Sequence, residues 1–309
     1  QKPLLIRQAF PDFESPLDAD ELAGLALEEA IESRLIVEQR RPHQTSNWQL
    51  KCGPFSDKDF AELPKSHWTL LIQAVDQYVP EISALLDEFR FIPNWRLDDV
   101  MISYAPDGGS VGPHFDYYDV FLLQALGQRH WQTGQMCNAQ SLRLEGTPLS
   151  ILKNFESDLD WVLEPGDMLY LPPQLAHWGI AKGDDCMTYS FGFRAPSHAD
   201  IISELAQEIG SNLSNDQRYN DGNLALQDNP GEISADAINQ VQAIIQQHLD
   251  NPSAIAAWLG RYMTESKYPD HSHYAHAESE QANWHSDDWL VNIACGAIIE
   301  RNLGARFAY

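Results

Sequence analysis

Cysteine is scarce in this chain: four residues in 309, Cys52, Cys137, Cys186 and Cys295, with no CxxC pair among them. That spacing excludes a disulfide framework and a zinc ribbon, and it points to a reducing, cytoplasmic setting. No apolar run reaches the roughly 18 residues of a membrane span. No signal-peptide pattern opens the chain, which begins Gln1-Lys2-Pro3 without a Met and so reads as trimmed. Basic residues are few as well: 20 Lys and Arg stand against 45 Asp and Glu, a formal net charge of −25. A surface this short of cations is poorly suited to gripping nucleic-acid backbones, so neither direct nucleic-acid binding nor a membrane is expected. It suits a basic protein partner, since opposite charge speeds encounter, although acidity also serves plain solubility.

What the chain does have is core material. A hydrophobic content of 43% with 10% aromatics excludes a disordered polyelectrolyte. The length fits about two domains. Near the N-terminus, Pro3–Arg7 reads as a short strand, and Asp18 or Asp20 caps a helix carrying Leu22, Leu25 and Ala26. A second helix is expected over Trp68–Val79, where Leu71, Ile72 and Val75 keep helical spacing. From Arg96 to Phe193 the character changes to short aliphatic and aromatic runs: Val100–Tyr104, Val120–Gln124, His130–Gln132, Leu149–Leu152, Met168–Leu171 and Met187–Phe193. Turn clusters such as Pro106-Asp107-Gly108-Gly109 separate them, the mark of an antiparallel sandwich or barrel.

After Pro196 the period becomes helical. Three amphipathic helices are expected, with apolar stripes at Ile201/Ile202/Leu205/Ile209, at Ala237/Ile238/Val241/Ile245, and, behind Pro252, at Ile255/Trp258/Leu259/Tyr262. Their faces fit either a cover for the β-core or a dimer interface. Tyr268–Ser286 is polar and His-rich, a solvated linker, and Trp289–Tyr309 reads as the start of a further module.

The sharpest chemical signal is Gly112-Pro113-His114-Phe115-Asp116. Residues two apart in an extended segment face the same way, so His114 and Asp116 are placed to ligate one metal. A third ligand is supplied by His177, expected at the rim of a loop after the Met168–Leu171 strand and its Pro172-Pro173 brake. Two His and one carboxylate leave positions open on a metal, as non-haem Fe(II) oxygenases require, and the same donors also serve hydrolytic zinc.

On these residues the middle segment resembles the JmjC/cupin-type 2-oxoglutarate oxygenases, and more narrowly the bacterial ribosomal oxygenases. The stretches carrying the resemblance are Asp20–Ala26, Asp98–Ser103, Val111–His114, Tyr118–Phe121 and Tyr189–Pro196. It implies a mainly β fold with α: a double-stranded β-helix core over 1–196, a helical dimerisation region over 197–267, and a linker with a partial winged-helix-like module over 268–309. It also implies Fe(II), 2-oxoglutarate as co-substrate and O₂, with His114, Asp116 and His177 as the iron triad and Arg129 on the far carboxylate of 2-oxoglutarate. Some relatives carry a Ser where this chain has Ala105, leaving Ser103 as the substitute cofactor contact. The substrate implied is an arginine, at its β-carbon, on the sixteenth protein of the large ribosomal subunit, a basic partner. Asp98, Asp99, Tyr117, Tyr118, Asp119 and Ser190 are the candidates to hold it. The rivals are a JmjC-type N-methyl demethylase using the same triad and a non-catalytic cupin that binds a basic protein.

Overall fold

A computed structural model describes residues 2–40, 47–220, 222, 225–265, 267 and 268. These fall into two compact units, 2–195 with 267 and 268, and 196–265. The expected module over 268–309 lies outside the described residues, Tyr268 apart.

The first unit opens with β1 (Leu4–Ile6) and α1 (Ala19–Leu25), whose Asp18 side chain accepts from the Glu21 N–H while Glu21 reaches back to the Asp18 N–H. This reciprocal cap satisfies two end groups and starts the helix where the sequence reading places it. Next come β2 (Ser33–Gln39), β3 (Asn47–Cys52), α2 (Asp57–Ala61), β4 (Trp68–Ile72), α3 (Pro80–Leu85) and β5 (Leu97–Ala105). They are followed by β6 (Val120–Met136), β7 (Leu159–Leu163), β8 (Met168–Leu171) and β9 (Leu175–Phe193). The strands order as β1-β8-β6-β9-β5-β4-β2-β3, with β7 beside β6, and every pairing is antiparallel.

The helix expected at Trp68–Val79 is absent. Its first half is strand β4, paired with both β2 and β5, and Val75–Gln77 is a single 3₁₀ turn. Leu70, Leu71 and Ile72 are all buried. A central strand covered on both faces reads as a continuous apolar run, which helical spacing fits equally well. Val120–Gln124 and His130–Gln132, expected as separate strands, belong to one strand of 17 residues. Leu149–Leu152 makes only an isolated bridge, Leu152 to Arg143. The core between strands and N-terminal helices centres on Phe89, whose ring lies 4.4 Å from Phe191, with Ile82, Ile102, Leu123 and Tyr189 fully buried around it.

The second unit holds α4 (His198–Ser211), α5 (Ala235–Leu249) and α6 (Pro252–Thr264), the three helices expected there. Pro252 sits in the first turn of α6, where its missing N–H costs nothing. Trp258 is buried and stacks on Tyr262, and Arg261 pairs with Glu208 of α4.

Candidate metal centre and its cavity

His114 and Asp116 lie in the segment that leads into β6, and His177 is the third residue of β9. Backbone pairing brings them together. The His114 N–H donates to the His177 carbonyl (3.0 Å), the His177 N–H returns to the His114 carbonyl (2.8 Å), and the Gln174 N–H donates to the Asp116 carbonyl (2.6 Å). His177 is 3% exposed inside a strand rather than at a loop rim, because β9 begins immediately after the Pro172-Pro173 turn.

Each ring is oriented by a short-range bond: His114 Nδ1 donates to the Gly112 carbonyl and His177 Nδ1 to the Leu175 carbonyl, both at 2.9 Å. That fixes the tautomers and leaves a lone pair on each Nε2. The two Nε2 atoms are 3.1 Å apart, and Asp116 Oδ2 is 3.6 Å from His177 Nε2. Burial, and then the neighbouring His114, push the His177 pKa down to about 4, so it stays the neutral, ligating form. Two lone pairs and a carboxylate converging within 4.8 Å make a donor set that suits a divalent cation. Gly112 enables the approach: its φ is +80°, and a Cβ there would meet the Ile151 side chain at 2.9 Å.

The triad faces a cavity of about 490 Å³. A larger groove, about 1030 Å³, runs along β2 and β3 away from the triad. Asp99, Met101 and Ser103 alternate toward the triad cavity along β5, while Val100 and Ile102 turn into the core. Ser103 Oγ donates to the Thr188 carbonyl at 3.3 Å. Ala105 packs instead against Ala181 and Cys186. A register irregularity between Leu97 and Val100 lets the consecutive Asp98 and Asp99 both line the cavity.

Arg129 also lines the cavity, at 3% exposure, and neither its Nε nor its Nη2 has a partner. Its guanidinium lies 5.9 Å from the Trp131 ring, whose Nε1 is likewise unpartnered. Unmet buried donors are costly, and an anionic ligand would satisfy these. The donor set and this orphaned cation therefore fit a metal together with a dicarboxylate.

At the cavity's acidic wall Asp99, 4% exposed, accepts from Gln73 Nε2 at 2.7 Å, and Gln73 Oε1 accepts from Arg34 at 2.9 Å. Arg194 Nε lies 3.3 Å from Asp98 Oδ1. Tyr118 and Ser190 line the same cavity. Burial and then the carboxylates of Asp116, Asp99 and Asp98 hold the Tyr118 phenol above its usual pKa, so it keeps its proton. Two of the substrate candidates are directed elsewhere. Asp119 accepts from Arg96 and from the Tyr170 hydroxyl, which ties β6 to its neighbours, and Tyr117 is half-exposed against Phe115, outside the cavity lining. Gln73, Met101, Trp131 and Lys267 line the cavity without having stood out in the sequence. Of these, Gln73 carries a readable signal, as a lone amide interrupting the apolar run Leu70–Val75.

The JmjC domain family matches residues 84–201. The chain is 35% identical over 273 residues to the ribosomal protein uL16 3-hydroxylase of Escherichia coli, covering 87% of this chain and 69% of that protein. It is 39% identical over 208 residues to a Haemophilus influenzae protein named probable ribosomal oxygenase, covering 67% of this chain and 50% of the relative. A solved structure of YcfD, a ribosomal oxygenase from E. coli in complex with cobalt and 2-oxoglutarate, superposes with a TM-score of 0.78 at 32% identity, over 96% of this chain and 75% of that one.

Proposed function

Because this chain belongs to the ribosomal oxygenases of the JmjC/cupin fold, we propose that it hydroxylates an arginine of the large-subunit ribosomal protein uL16 at the β-carbon. It is a 2-oxoglutarate-dependent dioxygenase by family. When bound, Fe(II), 2-oxoglutarate and O₂ supply the oxidation, in which the co-substrate is decarboxylated to succinate and one oxygen atom enters a C–H bond.

The chain's own residues bind, aim and shield. His114 and His177 through Nε2, and Asp116 through a carboxylate oxygen, would hold the iron, with both rings kept in the ligating tautomer by the Gly112 and Leu175 carbonyls. Arg129 would pair with the distal carboxylate of 2-oxoglutarate, which gives its unmet N–H groups their acceptors. Ser103, on the same face of β5 as Asp99, offers a hydroxyl to the same co-substrate. Asp98 and Asp99 supply the charge to hold a guanidinium, while Tyr118 and Ser190 supply neutral hydrogen-bonding groups beside it. Aiming one C–H at the metal is what turns a general oxidant into a selective hydroxylase.

The observation that carries this reading is the orphaned, buried Arg129 guanidinium in one cavity with the triad. Anaerobic addition of Fe(II) and 2-oxoglutarate should produce the weak visible band of the metal chelate, and Arg129→Ala should weaken it. With air and uL16, mass spectrometry should find one added oxygen atom on an arginine. No band with both present, or bound zinc in place of iron, would sink the reading. The homodimer belongs to the same proposal: Ile238, Val241 and Ile245 form an exposed apolar stripe on α5, at 57%, 47% and 52% exposure, as an interface between copies requires.

A further inference from the structure

The acidic wall of the cavity already holds a cation from the chain itself. Lys267 Nζ lies 3.1 Å from Asp99 Oδ2 and 3.4 Å from Asp98 Oδ2. Burial opposes charge on this lysine, and the Asp99 and Asp98 carboxylates outweigh it, leaving its pKa above the usual lysine value. Next along the chain, the Tyr268 hydroxyl donates to Glu32 at 2.6 Å, which tethers the segment beside the cavity. Asp98, Asp99, Arg194 and Lys267 together carry no net charge. With Lys267 withdrawn, one negative charge remains, the complement of one incoming cation.

Resting on the proposed function, we propose that Lys267 is a built-in competitor for this subsite, one that the substrate cation must displace and that a guanidinium displaces best. A substrate lysine would exchange one ammonium for another. It would also compete against a group whose tether gives it an effective concentration in the millimolar range. A substrate arginine differs: its planar fork gives a carboxylate two parallel N–H bonds, which the monodentate Lys267 ammonium does not offer. The exchange is charge-neutral, so geometry decides it. Lys267 thus imposes a cost on every cation, and arginine is the one whose extra bonding overcomes it.

The test is calorimetric titration of the full chain, and of Lys267→Ala, with N-acetyl-arginine amide and with N-acetyl-lysine amide. Lys267→Ala should bind the arginine probe about tenfold more tightly, as expected when a competing closed state is removed. It should bind the lysine probe more tightly by a similar factor, because the cost Lys267 imposes is the same for every cation. Tyr268→Phe, which keeps every charge and removes the hydroxyl that holds the segment, should shift both affinities in the same direction. Unchanged or weaker arginine binding in Lys267→Ala overturns the proposal. Failure of the wild type to oxidise uL16 strikes the proposed substrate instead, and the two amide titrations still decide the role of Lys267.

Discussion

Replacing Arg129 by Met should make the ligand-free protein more stable and the enzyme useless at ordinary 2-oxoglutarate concentrations. The side chain is 3% exposed, and its Nε and Nη2 have no acceptor. Truncating a buried polar group normally orphans its partner, but here the group is the orphan. A hydrophobe of similar length removes that desolvation cost, about 2 kcal/mol by comparison with other buried charges replaced by apolar groups. In a unit of this size, that amounts to a melting temperature about 4–8 °C higher. The same change deletes the proposed partner of the co-substrate's distal carboxylate. Losing one side of a buried charge pair costs about 2–4 kcal/mol, a rise in KM for 2-oxoglutarate of about 30- to 1000-fold. Thermal melts with and without 2-oxoglutarate read both effects: the variant should start higher and gain nothing from the ligand. A lower starting temperature would mean that Arg129 is satisfied in the ligand-free protein, and an unchanged KM would mean that the co-substrate is held elsewhere.

Gly112→Ala should cost about 1–3 kcal/mol in a denaturant melt, since φ is +80° and the new Cβ meets Ile151, and it should weaken metal affinity by displacing the carbonyl that orients His114. Asp167, 2% exposed, accepts from the Gln8 and Glu164 N–H groups at 3.0 Å each and from Arg7. Burial alone would raise its pKa, and those bonds outweigh it and hold the pKa below the ordinary carboxylate value. Its contribution is therefore present at neutral pH and is lost as pH falls below about 4. Asp167→Asn should cost about 1–3 kcal/mol at pH 7 and should flatten the acid limb of the stability curve. Val241→Asp on α5 should convert the proposed dimer to monomers by sedimentation and leave the catalytic unit folded, whereas an unchanged sedimentation coefficient would refute an α5 interface between copies.

Much of the fold is legible in local pattern. Asp18 followed three residues later by Glu21 marks the start of α1, and Pro252 marks that of α6. The apolar stripes of α4 and α6 carry the helical period because each is buried along one side, at Leu205 and at Trp258 and Met263, and α5 keeps the same period on a stripe that is exposed. The pattern fails where an element is covered on both sides. In β4 every residue from Thr69 to Ile72 is buried, so its apolar run has no strand period and the helical reading fits it equally. The grouping of His114, Asp116 and His177 is legible for a different reason: HxD spacing is local, and a strand after a Pro-Pro turn supplies the third member of the group. The contact of Lys267 with Asp98 and Asp99 joins residues far apart in the chain, and no local pattern encodes it.

The remaining cavity residues are set by breaks in strand register, which the alternation rule does not reveal. On β6, Leu122 and Arg129 both line the cavity although they stand an odd number of residues apart, and a regular strand would put them on opposite faces. Between Gln124 and Leu126 the strand advances two residues while β9 advances one, and that extra residue restores the face. Close by, Gly127 has φ +59°, and a Cβ there would overlap the Asp185 carbonyl. On β9 the compensation is larger: from Met187 to Lys182 it advances five residues while β6 advances two, so His177 and Ser190, also oddly spaced, share the cavity. On β5 the irregularity near Leu97 brings Asp98 alongside Asp99. Each irregularity moves a polar group from the face it would occupy in an ideal sheet to the face that borders the triad cavity. Removing one residue from the β6 bulge would leave the hydrogen-bonding capacity of the strand intact and would turn Arg129 away from the cavity. The register breaks therefore carry as much of the site as the side chains do.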